Sequence, residues 1–82
     1  MHKIDLPLLV KRINHISKVN DETFRITIEV RPTTSTIYYD LEVYEANERH
    51  VFVSGTGETI YDAVWTCLER IPAALESWGY VE

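Results

Sequence analysis

Eighty-two residues with a single cysteine describe one small domain, residues 1–82, with no internal disulfide and too little interior for a deep catalytic cleft. No apolar run approaches the roughly 18 residues of a membrane span, and the opening MHKIDLPLLVKRINH lacks the apolar core of a secretory signal, so a cytoplasmic chain is expected. The net charge of −5 is uneven, with +3 over residues 1–20 and −8 over residues 21–82, which favours a basic partner over a nucleic acid.

Asp5-Leu6-Pro7 reads as a helix start, with Asp5 as N-cap and Pro7 in the first turn, where a missing N–H is tolerated. Leu6, Leu9, Val10, Ile13 and Ile16 recur at helical spacing, so the first helix is expected over 6–18. Thr23 to Val30 then alternates without a fault. Phe24, Ile26, Ile28 and Val30 share one face, and Pro32 is expected to end this strand, leaving Arg31 to Thr36 as a hairpin loop.

Ile37 to Glu45 alternates again, with Ile37, Tyr39, Leu41 and Val43 inward and Tyr38, Asp40, Glu42 and Tyr44 outward. Matching the inward residues pairs Val30 with Ile37, Ile28 with Tyr39 and Ile26 with Leu41, which sets Arg25 opposite Glu42. A short turn, Ala46-Asn47-Glu48, with Asn47 suited to a left-handed conformation, leads to a third strand over His50 to Ser54. An odd turn keeps Val51 and Val53 in the core and sends Phe52 outward; a two-residue turn does the reverse. The odd turn is preferred because it buries two β-branched residues.

Gly55-Thr56-Gly57 breaks the strand. Thr56 or Thr59 can cap the helix that follows, Glu58 and Asp62 suit its positive end, and Gly79 suits its stop. Its apolar stripe, Ile60, Val64, Cys67, Leu68, Ile71, Leu75 and Trp78, is the longest in the chain; Pro72 within it predicts a kink. The fold class is therefore α+β, a two-layer α-β-β-β-α arrangement. A three-stranded antiparallel meander carries both helices on one face.

This element order resembles that of double-stranded-RNA-binding domains, which implies an RNA-binding module as one reading. That family grips phosphates with a lysine cluster at the start of its second helix. The matching stretch here, Gly57-Glu58-Thr59-Ile60-Tyr61-Asp62, is acidic.

His2, His15, His50 and Cys67 show no metal-ligand spacing, and Cys67 falls on the apolar stripe, so neither a metal, a cofactor nor a catalytic residue is expected. Gly55-Thr56-Gly57 lacks the lysine of a phosphate loop. The uncovered outer sheet face is the candidate partner-binding surface, carrying Arg25, Tyr38, Asp40, Glu42, Tyr44, His50 and Phe52. Tyr61 and Trp65 lie beside the stripe of the second helix, closing the groove between the helices or making a dimer contact. The expectation is a non-catalytic protein-binding module, an adaptor or inhibitor with a basic protein partner. Its size and charge resemble those of small phage and mobile-element proteins that block nucleic-acid-handling partners. A small homodimeric structural protein is the alternative.

Overall fold

The computed structural model describes residues 6–82 and places five elements: α1 (Leu6–Asn20), β1 (Phe24–Pro32), β2 (Ile37–Glu45), β3 (Val51–Gly57) and α2 (Ile60–Trp78). The strands form an antiparallel sheet in the order β1-β2-β3, and both helices pack on it, as the alternation and the two apolar stripes require. Leu9, Ile13 and Ile16 of α1, Leu41, Val43 and Val53 of the sheet, and Ala63, Val64, Cys67, Ile71 and Leu75 of α2 share one core. The expected N-cap, Asp5, lies outside the described residues. Among the described residues no helix is long and apolar enough to cross a membrane.

α1 runs two residues beyond its expected end. Asp21 takes the left-handed conformation (φ 53°), and Glu22 N–H donates to the Ser17 carbonyl at 3.0 Å, which closes the last turn. α2 opens on Thr59, whose hydroxyl accepts from Asp62 N–H at 3.1 Å, and continues through Pro72 as one element. It ends on Gly79 (φ 69°), with Gly79 N–H donating to the Glu76 carbonyl and Tyr80 N–H to that of Leu75. The tail then turns back onto α1. The Asn20 side chain donates to the Val81 carbonyl (2.8 Å) and accepts from Val81 N–H (2.9 Å), while Arg12 pairs with Glu82.

Two corrections concern the sheet. First, β1 and β2 pair two residues further along than the matching of inward residues implies: Val30 lies opposite Tyr39, Ile28 opposite Leu41 and Ile26 opposite Val43. The faces are unchanged, but Arg25 sits opposite Tyr44, and Glu42 opposite Thr27. The hairpin loop is tighter than expected because β1 continues through Pro32. Thr33 N–H donates to the Thr36 carbonyl and Ala46 N–H to that of Thr23, each at 2.8 Å. Hydrogen-bonded pairs with β2 therefore fall on the odd-numbered residues of β1, and the backbone groups of the even-numbered ones point to the sheet edge. Pro32 is even-numbered, so its missing N–H costs no bond to β2.

Second, β3 follows neither parity expected for it. Val43 pairs with Val53 but Tyr44 pairs with Val51, so Phe52 is the extra residue of a β-bulge. Phe52 and Val53 both go inward and Val51 is left 45 % exposed. The bulge admits Phe52 to an aromatic cluster with Phe24 (5.1 Å between centroids), Trp78 (5.6 Å) and Tyr80 (5.9 Å).

The β2–β3 turn has four residues, with Arg49 (φ 61°) in the left-handed position in place of Asn47. Glu45 organises it. The Glu45 carboxylate is buried and accepts Asn47 N–H at 2.7 Å and Glu48 N–H at 2.8 Å, while its carbonyl accepts from Arg49 N–H. Glu45→Ala leaves those two amides without their acceptor and is expected to cost about 2 kcal/mol. Urea denaturation measures it; an unchanged midpoint would show that the turn closes without the carboxylate.

Candidate functional site

The outer face of the sheet carries three rows crossing all the strands, Arg25–Tyr44–Val51, Thr27–Glu42–Ser54 and Glu29–Asp40–Thr56, and ends on the pair Arg31–Tyr38. The helices pack on the opposite face, so among the described residues no element covers these rows.

Asp40 is the most constrained group on this face. Arg31 donates to it through Nε (2.8 Å to Oδ2) and Nη2 (3.2 Å to Oδ1), and the Thr56 hydroxyl donates to Oδ1 at 2.8 Å. The same guanidinium lies over the Tyr38 ring, 4.9 Å from its centroid. The hydrogen bonds from Arg31, then that from Thr56, hold the Asp40 carboxyl below the usual carboxylate range, and Asp40 in turn raises Arg31. Asp40 is thus already neutralised within the sheet.

Glu42 is in the opposite situation. It is exposed on the central strand between uncharged Thr27 and Ser54, and among the described residues no cation pairs with it. Two adjoining shallow hollows, of about 230 and 390 Å³, both include Glu42, Thr27 and Glu29 in their walls. The first extends to Asp40, Ser54 and Thr56, the second to Tyr44, Arg49 and Val51.

Of the residues singled out from sequence, Arg25, Tyr38, Asp40, Glu42 and Tyr44 do share this face, though Tyr38 and Tyr44 are half-buried. Phe52 does not: the bulge turns it into the core, 5 % exposed. His50 does not either. It precedes β3, with Nδ1 3.4 Å from Glu48 Oε2 and its ring edge-on to Trp78, so it belongs to the turn end of the sheet. Tyr61 and Trp65, on α2, are 44 % and 43 % exposed. Tyr61 borders an apolar cleft of about 450 Å³ at the start of both helices, with Leu6 and Pro7 of α1, Tyr39 of β2 and Ile60 of α2 among its walls.

Arg31, Thr56 and Arg49 join the face unforeseen, and Glu29, outward as the alternation places it, lies opposite Asp40 and not beside Tyr38. The alternation of β1 already turns Glu29 and Arg31 outward, but only the true hairpin register shows that Arg31 reaches Asp40.

No group of three His, Cys, Asp or Glu side chains among the described residues is placed to hold a metal ion. Burial raises the Cys67 thiol to about 11, so it stays protonated near neutral pH, with Sγ 3.9 Å from the Leu41 carbonyl. Comparisons with protein-family models, with curated proteins and with solved structures found no match.

Proposed function

We propose that this domain is a non-catalytic protein-binding module that takes a basic segment of its partner on the outer sheet face. The observation that carries this reading is Glu42, an uncompensated carboxylate on the central strand, standing in two hollows at once. A lysine or arginine side chain lowered into the first hollow meets Glu42 with Glu29 beside it, whereas the second hollow also carries Arg49. Tyr44 lines one hollow, and Tyr38 extends the same face under Arg31. Long-range attraction by the acidic chain speeds the encounter, and the half-buried tyrosines supply the contact that holds it. The Arg31–Asp40–Thr56 network holds these three side chains together without a partner. An adaptor and an inhibitor use such a face in the same way.

The test is quantitative affinity capture by the intact chain and by the variants E42Q and Y38S/Y44S. Fold is monitored by circular dichroism, with a parallel titration of an arginine-rich peptide and of duplex RNA at low salt. A partner and peptide bound by the intact chain and weakened about tenfold to a hundredfold by E42Q are expected, since a charge-assisted contact is worth roughly 1.5–3 kcal/mol. An unchanged partner set in both variants would remove this face from the function. Tight RNA binding that falls steeply with salt would replace the reading by a nucleic-acid one.

A further inference from the structure

The two edges of the sheet are treated differently. Along β3, α2 lies against the strand, and Arg70 Nη1 donates to the Ser54 carbonyl at 2.9 Å. Ser54 faces the edge because the odd-numbered residues of β3 bond to β2. Along β1, the N–H and C=O groups of Phe24, Ile26, Ile28 and Val30 point to the edge, and among the described residues none has a hydrogen-bond partner there. The inner-face side chains beside this open ladder are apolar and poorly covered: Ile28 is 38 % exposed and Val30 60 %. An open ladder of this kind is a template for another strand.

We propose that the strand it takes is β1 of a second copy of this chain, antiparallel about a two-fold axis at Thr27, joining two sheets into one. The charge pattern of β1 selects both the occupant and the register. About Thr27, Ile26 of each copy lies opposite Ile28 of the other, Phe24 opposite Val30, and Arg25 opposite Glu29. The under-covered Ile28 and Val30 thus meet apolar neighbours, and the outer face gains an Arg–Glu pair twice over. The bonded pairs fall on even-numbered residues, as the free edge groups require. Other axes on this edge fail. An axis at Ile28 opposes Arg25 to Arg31; one at Glu29 opposes Glu29 to itself and brings Pro32 into the ladder; one at Ile26 sets Val30 against Glu22. With the axis at Thr27, Pro32 falls just outside the pairing and blunts its further extension.

The pairing uses an edge and engages Arg25 and Glu29 of the outer face, leaving Glu42 on the central strand open. E42Q therefore leaves it intact, and the two readings fail separately.

The experiment is molar mass by light scattering over a dilution series for the intact chain, R25E, E29R and R25E/E29R, with circular dichroism to confirm each fold. The intact chain is expected to reach twice its 9.6 kDa. Each single reversal turns two attractive pairs into two repulsive ones and should weaken association about tenfold to a hundredfold, while the double reversal restores it. Amide exchange at Ile26 and Ile28 should slow as concentration rises. A mass of 9.6 kDa at every concentration would overturn the proposal. So would a dimer indifferent to the single reversals, or one that the double reversal fails to restore.

Discussion

Gly55→Ala is expected to destabilise the domain by about 3 kcal/mol or more, a shift of roughly 12–24 °C in Tm. Gly55 lies on β3 opposite Leu41, directly against the backbone of α2. A Cβ added there would stand 2.3 Å from the Ala63 carbonyl oxygen and 3.1 Å from both Cys67 N and Cys67 Sγ. The first two obstacles are helix backbone, which no rotamer change can move aside. The buried residues facing Gly55 from α2, Ala63 and Cys67, are one helical turn apart and both small, so three small residues together set the distance between helix and sheet. Relief requires α2 to lift from β3 and loosen the core around Val64 and Ile71. For a chain of this length, total stability is roughly 4–12 kcal/mol, so the substitution removes a large share of it. Gly79→Ala is the control. Its φ of 69° carries a strain cost of about 1 kcal/mol, but nothing lies within 4 Å of the added atom. Thermal denaturation followed by far-ultraviolet circular dichroism reads both; equal losses would mean that the contact between β3 and α2 is not what Gly55 serves.

Phe52→Ala should cost about 3–5 kcal/mol, whereas Val51→Ala should cost well under about 1 kcal/mol. Phe52 is 5 % exposed and touches the rings of Phe24, Trp78 and Tyr80, which come from β1, the end of α2 and the tail. Trp78 and Tyr80 also pack on each other, at 5.5 Å between centroids. Removing the central ring opens a cavity bounded by three separate segments, and the tail loses part of what holds it to the sheet. Val51, 45 % exposed and opposite Tyr44 on the outer face, has little contact to lose. Urea denaturation of both variants measures the contrast. The ranking reverses if β3 runs without its bulge, since an unbulged strand that buries Val53 would bury Val51 too and expose Phe52. The same placement makes Phe52 unsuitable as a probe of partner binding, because its loss would be felt through the fold.

Much of the candidate face was legible in the order of residues. Strict alternation in residues 23–30 and 37–45 determines which side chains lie together, and it put Arg25, Tyr38, Asp40, Glu42 and Tyr44 outward as the sheet does. The helical stripe from Val64 to Leu75 likewise determines which side of α2 meets the sheet, and with it the α-β-β-β-α order of a two-layer domain. Side-chain period is 2, however, so a register displaced by two residues keeps every residue on its face. Alternation therefore cannot choose between Glu42 and Tyr44 as the neighbour of Arg25, nor bring Arg31 to Asp40. The hairpin decides it, through a Thr33–Thr36 closure and a proline whose missing donor points off the sheet. At Phe52-Val53 two consecutive apolar residues compete for one inward position. The bulge admits both because Phe24, Trp78 and Tyr80, far apart in the chain, converge on that end of the sheet. Glu45 reads from sequence as one more surface acid, and it becomes a buried acceptor because the turn it precedes folds its amides back onto the carboxylate. Local periodicity thus determined the elements and their faces. Register, the bulge and the turn were decided by contacts between segments distant in the chain, whose energies no local pattern records.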